Sequence, residues 1–197
     1  MPQPRVVAVS RDAEHRFSKV PVGSITLVEG LGVVDDAHAG STVQHRSRVR
    51  RDPTQPNLRQ VHLIPVELFA DAAKAGHPLG PGDLGENVLT AGLDLVALPE
   101  DTRLRVGNAV LRVTGLRNPC AQINTFRPGL LKVVLFRGDG TPLDRPAPGT
   151  GAPGAASAHV IRRAGVMSVV ERGGEVRAGD PVEVELPAGP HRPLRPV

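Results

Sequence analysis

No apolar run in this chain goes far before a glycine or a proline cuts it, and that punctuation limits what the chain can fold into. There are 22 Gly and 20 Pro among 197 residues, which calls for many turns and short elements. Trp and Tyr are absent and Phe occurs 4 times, so Val, Leu, Ile and Ala must fill the core. β-Branched side chains suit the half-buried surface of a pleated sheet. The expected class is mainly β (α+β), a single domain with a few short helices, and the length suffices for one sizeable core.

The local pattern gives the order of elements. "RVVAVS" (5–10) reads as a first strand, and residues 17–40 as short strands broken by Gly23, Gly30 and Gly32. The polar, basic stretch 41–58 reads as a long loop. "RQVHLIP" (59–65) alternates, with Val61 and Leu63 on one side and His62 and Ile64 on the other. A helix follows over 65–76, with Val66, Phe69, Ala70 and Ala73 on its apolar face and Gly76 at its end. Residues 79–102 suggest two short strands. "TRLRVGNAVLRVTGL" (102–116) is the clearest hairpin, turning at Gly107-Asn108. "GLLKVVLF" (129–136) suits either a helix or a buried strand. Residues 137–158 read as a mobile Gly/Pro/Ala surface loop, and 158–187 as a closing β segment with a hairpin turn at Gly173-Gly174. The tail 188–197 is expected to be disordered.

Charge and cysteine use narrow the function classes. The formal net charge is +4, carried mainly by Arg, with Lys19, Lys74 and Lys132 the only lysines. That balance admits an anionic partner but equally reflects arginine-rich composition. One Cys cannot form an internal disulfide, and no apolar stretch has signal-peptide or membrane-spanning length, so a cytoplasmic location without membrane contact is expected. Phosphate-loop, dinucleotide-loop, zincin and nucleophile-elbow patterns are missing. Stacking of RNA bases has no Trp or Tyr to work with, which argues against a nucleic-acid partner.

What remains is polar residues at strand ends. In "DDAHAG" (35–40), His38 beside a carboxylate could donate to a ligand or shuttle a proton, while the same Asp residues serve as turn formers. Arg59 heads a strand, where a guanidinium could grip a phosphate or simply be solvated. Asn87 in "GENVLT" could hydrogen-bond a heterocycle or satisfy its own turn. The basic "HRSRVRR" (45–51) is either a solvated loop or a guide for anions. Cys120 follows Pro119, which interrupts strand pairing, and Arg117 lies three residues upstream, where it could favour the thiolate. A free Cys is also a common small core residue, and the local residues leave both readings open.

In order and spacing, "DDAHAG", "RQVHLIPVE", "LGENVLTAGLDLVALPEDTRLRVGNAVLRVTGLRNPC" and "AGVMSVVERGGEVRAGDPVEV" resemble the MOSC family, named for the C-terminal domain of molybdenum cofactor sulfurases. The resemblance implies a β-barrel-like MOSC domain over 1–187, with 41–58 and 137–158 as loop insertions not to be read for function. It implies that Cys120 is the family's cysteine, catalytic and a ligand of molybdenum or a carrier of sulfur. It implies a molybdenum cofactor (molybdopterin) in a pocket holding His38, Arg59, Asn87 and Arg117 and, at family level only, pyridoxal phosphate binding. With no aminotransferase-like domain in the sequence, a stand-alone bacterial-type member is implied. Such a protein would be a molybdenum-dependent oxidoreductase acting on a small-molecule, N-hydroxylated substrate. Having no flavin, nicotinamide or iron–sulfur motif, it would take electrons from a separate reductase. The alternatives are a persulfide sulfur carrier without bound metal and a basic β-barrel module for nucleic acid.

Overall fold

The computed structural model describes residues 3–143 and 160–197. The strands expected early in the chain form as β1 (Arg5–Arg11), β2 (Val20–Val22), β3 (Ser24–Val28) and β4 (Gly32–Val33). They are followed by β5 (Val61–Pro65), β6 (Val88–Ala91), β7 (Arg103–Val106) and β8 (Ala109–Leu116). The last are β9 (Leu135–Arg137), β10 (Val160–Arg162), β11 (Val166–Arg172), β12 (Gly174–Arg177) and β13 (Val182–Glu185). Four short helices complete the described chain: α1 (Arg46–Arg51), α2 (Glu67–Lys74), α3 (Gln122–Phe126) and α4 (Leu131–Val134).

Eight strands form one sheet in the order β13-β7-β8-β11-β5-β6-β1-β2, and β12-β3-β4 form a second. The main sheet curls without closing. Val6 N–H donates to Asp180 O and Val182 N–H to Pro4 O, so β1 meets the turn that leads into β13. The result is barrel-like, with part of the seam left open.

Alternation along β5 decides where the two cores lie. Val61 and Leu63 join Val6, Val9, Leu104, Leu111, Val113 and Val166 inside the curled sheet. Ile64 faces the other way, packing with Leu68, Phe69, Ile123, Leu130 and Leu131 beneath the helices. Both faces of β5 are therefore buried, and His62 is buried with Ile64. Among the described residues, no helix is long and apolar enough to cross a membrane.

Several local expectations need correction. Residues 41–58 contain α1 rather than only loop. The α2 helix buries Leu68, Phe69 and Ala72 instead of Ala70 and Ala73, because the sheet lies against the face one residue round. The region 79–102 supplies one strand, β6, and a short 3-10 helix at Leu95–Ala97. "GLLKVVLF" is both things in turn, α4 and then β9. Gly173-Gly174 is no hairpin turn: β11 pairs with β5 and β8, whereas β12 leaves to pair with β3. The 102–116 hairpin forms as read, with Val106 opposite Ala109 and Gly107 at φ 56. Most of the 137–158 stretch lies outside the described residues. The stretch read as a disordered tail instead lies along the body, with Leu194 buried in the inner core.

Candidate functional site

The hairpin's second arm delivers the chain to the site. At the end of β8 Arg117 N–H still reaches Gly165 O (3.0 Å), and then Asn118 and Pro119 lead out of the sheet. Pro119 has no N–H to continue a ladder, so the chain turns and Cys120 sits just ahead of α3, its carbonyl accepting from Ile123 N–H (3.1 Å). Cys120 is half-buried, and its Sγ has Gln122 Oε1 at 3.4 Å.

Cys120 opens on a cavity of about 100 Å³. Arg16, Lys19, Arg59 and Arg117 bring positive charge to its wall, His38, His45 and His62 bring imidazoles, and Phe17, Leu84 and Met167 bring apolar surface. The sequence-expected residues His38, Arg59, Asn87, Arg117 and Cys120 thus all line one cavity. Lys19, His45 and His62 were not singled out. Lys19 had no motif around it, His62 looked like one more alternating strand residue, and His45 fell in a stretch read as loop.

The two central arginines differ in how they are held. Arg117 is 7% exposed, and its Nη1 is buried with no hydrogen-bond partner among the described residues. Burial pushes its guanidinium below the ordinary value, against the pull of Cys120 and Glu86. Arg59 donates from Nη1 to Val197 O (2.5 Å), and its backbone N–H donates to Asn57 Oδ1 (3.0 Å). Burial and the nearby Arg48 and Arg117 push it down to about 9, which still leaves it charged at neutral pH.

Behind this wall stands a buried polar network. Asp36 accepts from Lys19 Nζ, from Asn87 Nδ2 (3.0 Å) and from His38 N–H (2.9 Å). Burial works to raise the Asp36 carboxyl, but His38 and the Lys19 ammonium together hold it well below the usual carboxylate range. His38 Nδ1 lies 3.3 Å from Asp36 Oδ1. The Asn87 amide is fully engaged: Nδ2 also donates to Ser10 O (3.1 Å), and Oδ1 accepts from His62 N–H (3.2 Å). It joins β1, β5 and the 36 turn, so it braces the cavity and has little left to offer a ligand.

Two of the imidazoles, those of His62 and His45, are kept neutral. His62 bonds Ala164 O through Nε2 (2.8 Å), and burial, aided by Arg117, holds it well below its ordinary value. Burial and then Arg59, His38 and Arg48 push His45 down to about 4. Glu86, 1% exposed, goes the other way, raised by burial to about 7 although Gly82 and Leu84 N–H groups donate to it. A cavity with two arginines, one of them with a buried nitrogen lacking a hydrogen-bond partner among the described residues, and a sulfur atom at its wall can take an anion next to a thiol. Among the described residues, no three His, Cys, Asp or Glu side chains converge to cage a metal.

Three comparisons place this arrangement among known proteins. The sequence profile of the MOSC domain matches residues 37–183. YuaD of Bacillus subtilis (strain 168), whose name refers to metal-sulfur cluster biosynthesis, is 29% identical over 164 residues, covering 78% of this chain and 76% of that protein. The YuaD crystal structure superposes with a TM-score of 0.68 at 23% identity, over 93% of this chain and 96% of YuaD. YiiM from Escherichia coli gives a TM-score of 0.55 at 19% identity, over 95% of this chain and 73% of YiiM.

Proposed function

The chain belongs to the MOSC domain family, and from that premise we propose that it binds a molybdenum–pterin cofactor and reduces N-hydroxylated small molecules, with Cys120 Sγ as the metal's protein ligand. The observation that carries this reading is the Arg117 Nη1, buried without a partner on the cavity that Cys120 also lines. A buried donor left without an acceptor is costly, and a ligand's phosphate would complete it. The donor set fits such a group: guanidinium donors suit phosphate oxygens, and a soft thiolate suits a metal already bound by sulfur. When bound, the cofactor supplies a metal centre that can take an oxygen atom from the substrate.

The chain's own residues prepare the place. Arg117 and Arg59 neutralise and orient the anion, while Phe17, Leu84 and Met167 exclude water from one wall. His38, held over Asp36, is positioned to relay from solvent, one after the other, both protons that the conversion of N–OH to N–H and water consumes with an electron pair. Electrons for that conversion come from a separate reductase. Metal analysis of protein from cells that make the cofactor is expected to find about one molybdenum per chain, lost in Cys120→Ala. A metal-free wild type from such cells would overturn the reading.

A second reading is favoured by the half-exposed Cys120, with Gln122 beside it, and by the metal-sulfur cluster biosynthesis in the name of the relative YuaD. Cys120 would then take a sulfur atom from a persulfide donor and pass it to an acceptor thiol. Intact-mass measurement would show a gain of about 32 Da that a reductant removes, without molybdenum.

A further inference from the structure

We propose that the segment 192–197 is a positioning strap for the anion site, holding Arg59 at the cavity wall through Val197 O. The inference rests on the anion-binding reading of the cavity and adds to it a residue range outside the 37–183 family match.

The attachment is continuous along the segment. Glu100 N–H donates to Arg192 O (2.9 Å), and Arg192 pairs with Asp101 (3.0 Å). Leu194 is 9% exposed and packs in the inner core. Leu116 N–H donates to Arg195 O (2.8 Å), and Val197 N–H donates to Leu116 O (3.2 Å). The segment therefore extends the hydrogen bonding of β8 on the residue just before Arg117, within four positions of Cys120. Gly115 is shaped for this contact. A Cβ there would run into Arg195 O and come within 2.6 Å of Val197 Cγ1.

Arg59 needs such an anchor. Arg48 and Arg117 repel it more than Cys120 attracts it, and repulsion among partly desolvated cations favours swinging a flexible side chain out to water. Val197 O is the hydrogen-bond acceptor that its guanidinium has among the described residues. Arg117 is different: it is held by burial and by its own backbone bond to Gly165 O, so the strap's direct side-chain contact is with Arg59.

The experiment is titration of inorganic phosphate into the full chain and variants by calorimetry, with thermal unfolding recorded for each protein. Wild type is expected to bind and Arg117→Ala to lose binding. Absence of wild-type binding, or its survival in Arg117→Ala, would overturn the anion cavity itself. A chain ending at Leu194, which keeps the core contact, is expected to bind about 10-fold more weakly, as loss of one charge-assisted contact would give. Gly115→Ala, which displaces the last residues without deleting them, should weaken binding similarly. Arg59→Ala combined with the shortened chain should bind no more weakly than Arg59→Ala alone, since both remove the same contact. With the cavity intact, unchanged affinity in Gly115→Ala and the shortened chain, or losses that add in the double variant, would overturn the strap.

Discussion

Asp36 shows how a single carboxylate can matter more to the site than the residues facing the ligand. It is 7% exposed and satisfies Lys19, Asn87 and His38 at once. Removing one member of a buried ion pair leaves the other uncompensated, so Asp36→Ala is expected to cost about 3–5 kcal/mol in urea unfolding. Glu86 is the complementary case, with a folded-state value of about 7 raised by burial. The native protein prefers the protonated form, so its contribution is full below the unfolded value near 4.5 and falls as pH rises toward 7. Over that window the loss is on the order of 3 kcal/mol. His45, depressed to about 4, and the neutral His62 give the opposite slope. The difference between wild type and Glu86→Gln isolates the carboxyl: the variant's relative stability is expected to rise from pH 4.5 to pH 7. A flat difference would contradict it. At the same scale, Arg59→Ala removes the largest charge repulsion on His45. Its imidazole is then expected to titrate above about 4 in NMR.

Elements that read themselves locally were legible in the sequence, and those whose partners lie far along the chain were not. Gly107-Asn108 turns between two arms adjacent in sequence that pair with each other, so spacing alone fixes Leu104 opposite Leu111. Gly173-Gly174 has the same appearance, yet β11 and β12 leave for different sheets because β8 and β3 offer them partners. The basic run 45–51 was read as loop because no apolar periodicity marks it. The structure makes it α1, and His45 and Arg48 line a small recess beside the main cavity. The glycine-rich setting of Asn87 leaves a ligand donor and a turn residue equally open, whereas its amide is used as a joint between elements. Asn87→Ala strands Ser10 O, His62 N–H and part of Asp36, at a cost of about 1–3 kcal/mol for each buried group left unsatisfied. Thermal unfolding should therefore report Asn87→Ala even with no ligand present.

For the molecule as a whole, the fold places its chemistry where two cores part. The inner core closes the curled sheet, the second lies under the helices, and Cys120 sits where β8 leaves one for the other. The fold class was readable because strand alternation and the ordered motifs are chain-local. The polar network was not, since Lys19, Asp36, His62 and Asn87 meet only after β1, β5 and the 36 turn have assembled. In the proposed function, Cys120 and Arg117 line one cavity and would together hold one anionic, metal-bearing ligand. Native mass spectrometry of wild type, Cys120→Ala and Arg117→Ala, purified from cofactor-making cells, tests it most directly. Wild type is expected to carry a molybdenum–pterin mass that both variants lose while remaining folded. A wild type carrying no such mass, or a Cys120→Ala protein that retains it, would contradict the claim.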